Sequence, residues 1–191
     1  MTCGIVSILW EPIMGMELYG KAPSNEAGEY FSRSVWGWRP LWTYCTSVYP
    51  PCARVSGGGH RNDGGGLGAP HLGAHHAKKL ARVLELEMLS GRAEHYRVSL
   101  ESHVAAQPRH KCPHCGGTGT RNDGIGAEKG FADKVCADRA QDGTPHPRAG
   151  QKGWCNGCDG VGTQPSWDTH YSFSVEDVRE FAEFLKNCGG F

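Results

Sequence analysis

The chain has 191 residues, and its 20 Lys and Arg balance 20 Asp and Glu, so the formal net charge is zero and the pI is near 7.1. A neutral chain lacks the positive field that drives non-specific binding to nucleic acid, so global electrostatics do not favour that function. The length suits a domain of ordinary size with a small appendage, and 28 glycines predict many loops around a modest core.

The first predicted elements are a strand and a helix. We treat residues 1–13 as an N-terminal extension. Residues 16–20 alternate apolar and polar side chains and end at a glycine, which predicts a short strand. The dipeptide Arg39-Pro40 predicts a helix entry, because proline suits the first turn, and the prolines at 50 and 51 predict the end of that helix.

Residues 30–44 contain an aromatic block that includes three tryptophans, Trp36, Trp38 and Trp42. Such a block either supplies the core of a domain that is short of aliphatic residues or forms a stacking platform for bases or a ligand. We expect it to be mainly core, with Trp42 facing inward, because Trp42 follows Leu41 near the packing side of the helix. Trp36 and Trp38 remain candidate binding residues.

A glycine-rich segment follows at residues 56–66. It lacks the spacings of the known phosphate-binding loops, and its Asn-Asp-Gly sequence predicts a turn. The alternative is a loop that presents polar side chains to a phosphate, a metal ion or a partner; these side chains are His60, Arg61, Asn62 and Asp63. The sequence Arg-Asn-Asp-Gly recurs at residues 121–124, so a second candidate set is Arg121, Asn122 and Asp123.

The spacing of apolar residues, together with N-cap and glycine residues at the helix ends, predicts three more helices. Residues 71–90 carry an apolar stripe that ends before Gly91, and residues 93–106 place Tyr96 and Leu100 on one face. The last helix follows Ser174, a predicted N-cap with an acidic residue three positions later, and it ends before two glycines.

The motif CxxCxGxG occurs twice, at residues 112–119 (the first knuckle) and 155–162 (the second knuckle). Two thiolates separated by two residues can bind one metal ion from a single tight turn, and the glycines allow the positive φ that such a turn needs. Together the knuckles supply four soft ligands, the set that selects one structural zinc ion and leaves no open position for catalysis. The predicted ligands are Cys112, Cys115, Cys155 and Cys158.

The insert between the knuckles, residues 120–154, is rich in glycine and charged residues and poor in aliphatic ones. We expect a long irregular loop that zinc closes at its base, since thiolate–zinc bonds exceed the entropy cost of closing such a loop. Cys136 and His146 lie in the insert as spare candidate ligands. Because the four paired cysteines complete the site, we expect both residues to be bystanders.

The cysteine count also bears on the compartment. There are nine cysteines, an odd number, and four of them form zinc-type pairs, which favours a reducing cytoplasm over secretion. No apolar run has the length of a transmembrane helix, and no basic segment precedes the apolar residues at the N-terminus. We therefore expect a cytoplasmic protein with no membrane partner.

The CxxCxGxG repeats resemble the cysteine-rich hairpin of DnaJ-type co-chaperones. That family carries four copies and binds two zinc ions, whereas this chain has two copies, which implies one ion. The J-domain tripeptide His-Pro-Asp is absent, since the His-Pro of this chain is followed by Arg148. The resemblance covers only the knuckle turns and implies no co-chaperone activity.

From residue 14 onward, the chain is similar to uncharacterised proteins of bacteriophages and proteobacterial prophages. The similarity lies in the two knuckles and in several short segments, among them residues 14–20, 38–41, 146–151 and 173–176. It implies a phage-type setting, and therefore the cytoplasm of a bacterial host, but no activity.

These patterns predict an α+β fold with a small helix-rich core domain, a zinc-stapled knuckle hairpin and long irregular loops. The core domain is expected at residues 14–109 and 165–191, and the zinc-knuckle insertion at residues 110–164.

We expect a non-enzymatic zinc protein that binds a host protein or ribonucleoprotein complex. Small phage proteins of this build commonly block host machinery, so an anti-CRISPR-like inhibitor of host defence fits the expectation. One alternative is a nucleic-acid-binding module that uses the tryptophans and the basic residues near the knuckles. The other is a metal-dependent enzyme that uses His60, Asn62 and Asp63. The neutral charge disfavours the first alternative, and the lack of a nucleophile–base spacing disfavours the second.

Overall fold

The computed structural model describes residues 15–54, 72–141 and 143–191. The N-terminal extension and the candidate set of His60, Arg61, Asn62 and Asp63 lie outside these residues. The chain separates into two compact units. The first unit contains the described residues up to Ser102 together with His170–Phe191, and the second contains His103–Thr169, within which the predicted insertion falls.

The first unit begins with an antiparallel two-stranded sheet of β1 (Gly15–Tyr19) and β2 (Tyr30–Ser34). The register places Leu18 opposite Phe31, and both side chains pack into or against the core. The strand predicted at residues 16–20 is confirmed with a displacement of one residue.

Helix α1 (Val35–Val48) begins earlier than the sequence predicted. Ser34 is its N-cap, and the Oγ of that residue accepts the backbone N–H of Gly37. The predicted entry at Arg39-Pro40 was therefore wrong, and Pro40 lies inside the helix. A serine oxygen satisfies an amide of the first turn, whereas a proline only tolerates that position, so the serine decides where the helix starts. The predicted end is confirmed, because a 3₁₀ turn at Pro50–Arg54 follows.

The other three predicted helices are confirmed with small shifts at their ends. They are α2 (Ala74–Leu89), α3 (Arg92–Ala105) and, at the end of the chain, α5 (Val175–Asn187). Gly91 links α2 to α3 with a φ of 76°, which a residue with a Cβ adopts only at a cost. The Oγ of Ser174 caps α5 by accepting the backbone N–H groups of Glu176 and Asp177.

The core of the first unit lies between α1, α2 and α5 and is strongly aromatic. The indole rings of Trp38 and Trp42 stack with centroids 5.2 Å apart, and the ring of Phe181 meets Trp38 edge-on at 5.5 Å. Trp42 is 3% exposed, which confirms the prediction that it faces inward. Aromatic side chains thus supply volume that aliphatic residues supply in most cores.

The second unit has little regular structure. Strand β3 (His110–Lys111) pairs antiparallel with β4 (Thr163–Gln164), and this pair brings the two ends of the knuckle segment together. The insert contains the short helix α4 (Gly124–Glu128) and two isolated antiparallel bridges, one between Val135 and Lys152. Its loops are thus tied to one another by backbone hydrogen bonds.

Within the described ranges the fold is α+β and rich in helix, as predicted, with five α-helices and two small antiparallel sheets. None of these helices has both the length and the apolar composition that crossing a bilayer requires.

Candidate metal centre

The two knuckles bring the four predicted cysteines together. Their sulfur atoms all lie within 4.8 Å of one another. The Sγ atoms of Cys112 and Cys155 are 3.8 Å apart, as are those of Cys115 and Cys158. A disulfide would need about 2.05 Å, whereas a tetrahedron with metal–sulfur bonds of about 2.3 Å has edges of about 3.8 Å. The spacing therefore fits a four-sulfur metal site, and three of the cysteines are buried while Cys115 is partly exposed.

Each knuckle holds its second cysteine in the same way. The backbone N–H of Gly119 lies 3.3 Å from the Sγ of Cys115, and the N–H of Gly162 lies 3.2 Å from the Sγ of Cys158. The last glycine of the motif thus donates to the sulfur four residues before it in both copies. Such bonds favour the charged thiolate that a metal ion requires.

The last glycines also pack the two knuckles against each other. Both adopt positive φ, 75° at Gly119 and 89° at Gly162. A Cβ at Gly119 would lie 2.3 Å from the carbonyl oxygen of Gly160, and one at Gly162 would lie 2.5 Å from that of Gly117. The motif therefore needs glycine here for its backbone angles and for the close approach of the facing turn.

The thiols differ in their readiness to ionise. Burial raises the pKa of Cys115. Hydrogen bonds from the backbone N–H groups of Gly119 and Gly117, together with those to the sulfurs of Cys158 and Cys112, outweigh burial and lower the pKa to about 7. Burial raises the pKa of Cys155 and of Cys158. Cys115 therefore ionises more readily than Cys155 and Cys158, and metal binding would release protons from those two thiols.

The second candidate set is largely occupied by structural contacts. The side chain of Arg121, only 8% exposed, pairs with Asp123 at 2.8 Å and donates to the Oδ1 of Asn156 at 2.9 Å, within the second knuckle. The Oδ1 of Asp123 accepts the backbone N–H of Gly126 at 2.9 Å and so caps α4. Arg121 and Asp123 thus shape the turn beside the knuckles. Asn122 and Asp123 are exposed, whereas Arg121 is buried.

Cys136 and His146 are buried, and both form hydrogen bonds with backbone groups instead of joining the sulfur cluster. The thiol of Cys136 donates to the carbonyl of Gly153 at 3.2 Å. The Nδ1 of His146 accepts the N–H of Arg148 at 2.9 Å, so the Nε2 carries the hydrogen and donates to the carbonyl of Asp159 at 2.6 Å. His146 therefore positions the second knuckle.

Asp159 ties the second knuckle to the insert, and the sequence did not identify it. Its φ is +51°, the only positive value for a non-glycine residue in the described ranges. Its Oδ1 accepts the indole N–H of Trp154 at 2.9 Å, and its Oδ2 accepts the backbone N–H of Gln141 at 2.8 Å. The fold of the insert and the shape of the metal-binding turn are thus coupled through one residue.

Arg148 links the second knuckle to the residue that follows the first knuckle, and the sequence did not identify this role. Its Nη1 donates to the carbonyl of Gly160 in the second knuckle at 3.0 Å. Its Nη2 lies 3.3 Å from the Oγ1 of Thr120, directly after the first knuckle, and 3.1 Å from the carbonyl of Lys152. The only sequence signal for this role is the presence of an arginine in a segment between two glycine-rich turns.

The two candidate tryptophans lie in different environments. Trp38 is 3% exposed and belongs to the core, and its indole nitrogen has no hydrogen-bond partner in the part of the chain described. Trp36 is 37% exposed, with its ring 5.3 Å from that of His170 and 5.1 Å from that of Tyr171. The ring of Trp38 therefore presents no face to solvent, whereas part of Trp36 does.

No family model, curated protein or solved structure matches the chain. The chemistry of the site is therefore argued from its own geometry. Four converging sulfurs can hold one tetrahedral metal ion, and with all four bound the ion has no position left for water or substrate. An ion bound in this arrangement would have a structural role and no catalytic one.

Proposed function

We propose that the chain is a non-enzymatic binding protein in which one zinc ion shapes the second unit, and that this protein binds a host protein or ribonucleoprotein complex. The observation that carries the proposal is the closed set of four sulfurs, in which all sulfur–sulfur distances are within 4.8 Å and two of them are 3.8 Å. Zinc has no preferred geometry of its own and accepts the tetrahedron that the turns impose, and thiolates are among its strongest protein ligands.

The packing of the second unit supports a structural role for the ion. Its buried apolar cluster consists of Cys112, Cys155 and Cys158, with Cys115 packed against them. A unit with so few buried aliphatic side chains gains little stability from the hydrophobic effect, and small domains of this kind commonly depend on a metal ion. Zinc binding in such a unit contributes directly to folding.

The irregular chain around the ion supports a binding role. Polar loops held by a rigid scaffold are where recognition residues concentrate in proteins. In this unit, Asp159 and Arg148 fix the loops to the knuckles, and Asn122 lies exposed beside the first knuckle. We take the setting from the resemblance of the sequence to phage and prophage proteins, and the partner that fits such a setting is a bacterial complex such as one of host defence.

The test is affinity capture from host lysate with matched variants. The tagged wild type is compared with the double variant Cys155→Ser/Cys158→Ser and with Cys136→Ser. The second change is the control, because that cysteine is buried in the same unit outside the cluster and serine can still donate to Gly153. We expect the wild type and the control to capture one defined host complex and the double variant to lose it.

Nuclease treatment of the lysate separates the kinds of partner. A complex that survives treatment is a protein assembly or a protected ribonucleoprotein, and capture that disappears indicates bridging by nucleic acid. Equal capture of the same complex by the wild type and the metal-free double variant would contradict the proposal.

A further inference from the structure

The solvent-facing side of the first sheet carries a cluster of one carboxylate and two aromatic rings, which the proposed metal site does not use. Strand alternation turns Met16 and Leu18 toward the core and leaves Glu17 and Tyr19 exposed. The register then places Tyr30 directly opposite Tyr19, with ring centroids 5.1 Å apart and planes tilted by 46°. Tyr19 is 63% exposed and Tyr30 is 45% exposed, so both rings are accessible.

The carboxylate of Glu17 holds the two rings in place. Its Oε2 accepts the hydroxyl of Tyr19 at 3.3 Å, and its Oε1 accepts the hydroxyl of Tyr30 at 3.1 Å. A carboxylate has about four acceptor positions, so each oxygen keeps one of them for another donor. The cluster therefore offers a fixed negative charge with two free acceptor positions beside two aromatic faces.

Elsewhere in the first unit, a combination of an aromatic ring and carboxylates binds an arginine side chain, that of Arg33. The guanidinium carbon of Arg33 lies 4.7 Å from the centroid of the Phe31 ring, and its Nε donates to the Oδ1 of Asp177 at 2.9 Å. Its Nη2 also donates to Glu180. At Glu17 the ring and carboxylate components are present, but no basic side chain among the described residues forms an ion pair with it.

We propose that Glu17, Tyr19 and Tyr30 form a docking site for an arginine side chain of a protein partner. A planar guanidinium can stack on a tyrosine ring and donate two parallel N–H groups to the two oxygens of one carboxylate. A lysine ammonium matches the charge but lacks the two-pronged geometry. The carboxylate repels phosphate, so the cluster selects against a nucleic-acid backbone.

The inference rests on the proposed function in one respect, namely that the chain acts by binding a protein. The cluster lies in the first unit and needs no metal ion. A test with a synthetic peptide uses neither zinc nor a host partner. If the peptide fails to bind, the zinc site and host capture can still stand; if host capture fails, the peptide result is unaffected.

The test is a nuclear magnetic resonance titration of protein with ¹³C-labelled tyrosine rings. The probes are the capped peptide Gly-Gly-Arg-Gly-Gly and the same peptide with citrulline, the neutral isostere of arginine. The chain has six tyrosines, so the other four serve as an internal reference. We expect saturable shifts confined to Tyr19 and Tyr30, with a dissociation constant on the order of millimolar and binding about fivefold weaker for citrulline.

Matched glutamate variants test the role of the carboxylate. Glu17→Gln removes the charge of the cluster, whereas Glu29→Gln removes the same charge from an exposed residue beside Tyr30 in sequence. We expect a loss of about fivefold in arginine-peptide affinity for the first variant and wild-type affinity for the second. Equal binding of the arginine and citrulline peptides, or an equal effect of the two variants, would overturn the proposal.

Discussion

Replacing Asp159 provides a sharp test of how the insert and the metal-binding turn are coupled. Asp159→Gly removes the two hydrogen bonds that the side chain accepts from Trp154 and Gln141, while it keeps the positive φ of 51° without strain. Hydrogen bonds to a charged group contribute about 1.5–3 kcal/mol each, so two of them would sum to about 3–6 kcal/mol. The partial exposure of Asp159 reduces this sum to about 2–4 kcal/mol.

Two further substitutions separate hydrogen bonding from backbone strain. Asp159→Ala loses the same bonds and also forces an alanine into the left-handed region, which costs about 1–2 kcal/mol more. Asp159→Asn keeps an oxygen for the indole of Trp154 and tolerates the positive φ, but its amide group cannot accept the N–H of Gln141. The loss of zinc affinity is therefore expected to be smallest for Asp159→Asn, larger for Asp159→Gly and largest for Asp159→Ala.

The assay is zinc competition with a chelator, because metal affinity and folding of this unit are coupled. A loss of about 2–4 kcal/mol corresponds to an affinity lower by about 30- to 1,000-fold for Asp159→Gly. Wild-type zinc affinity in the glycine variant, together with unchanged protection of the Gln141 amide from hydrogen exchange, would refute the coupling.

Three further predictions concern other parts of the chain. Trp42→Ala should lower the free energy of unfolding of the first unit by about 3–5 kcal/mol in urea titrations without changing the metal content, because the ring is buried. A hydrogen bond from Arg92 lowers the pKa of the Glu87 carboxyl group in the folded protein. The stabilisation from Glu87 is therefore present above the pKa of this group in the unfolded chain, and it is lost as the pH falls through its lower pKa in the folded protein. The difference in the free energy of unfolding between the wild type and Glu87→Gln should therefore shrink in acid. Gly162→Ala should weaken zinc binding, because the new Cβ would lie 2.5 Å from a carbonyl oxygen of the facing knuckle. Gly124→Ala should leave zinc binding unchanged, because a Cβ added at that position would have no neighbouring atom within 4 Å.

The convergence of the four cysteines could be predicted because the geometry of each pair is contained in a short sequence spacing. Two cysteines separated by two residues already lie on one turn, and the shared glycine pattern indicates that both turns are built alike. Helix α5 was predictable for the same reason, since its cap residue Ser174 is adjacent to it in sequence. The start of α1 was missed because the prediction relied on Pro40, whereas the side chain of Ser34, six residues earlier, forms the cap.

The residues that position the knuckles could not be predicted, because their partners are distant in sequence. His146 meets Asp159, which is 13 residues away, and Arg148 meets Thr120, which is 28 residues away. No periodicity or local propensity relates such pairs, since the path of the insert decides which side chains meet. The same holds for the Glu17 cluster, where the register between β1 and β2 brings Tyr30 next to Tyr19.

The central claim is that four cysteines hold one structural zinc ion, and metal analysis of protein purified without added metal tests it most directly. Inductively coupled plasma mass spectrometry on the wild type should give one zinc ion per chain and no stoichiometric iron, and the Cys155→Ser/Cys158→Ser variant should give none. A wild-type stoichiometry near zero or near two, or iron in place of zinc, would contradict the account.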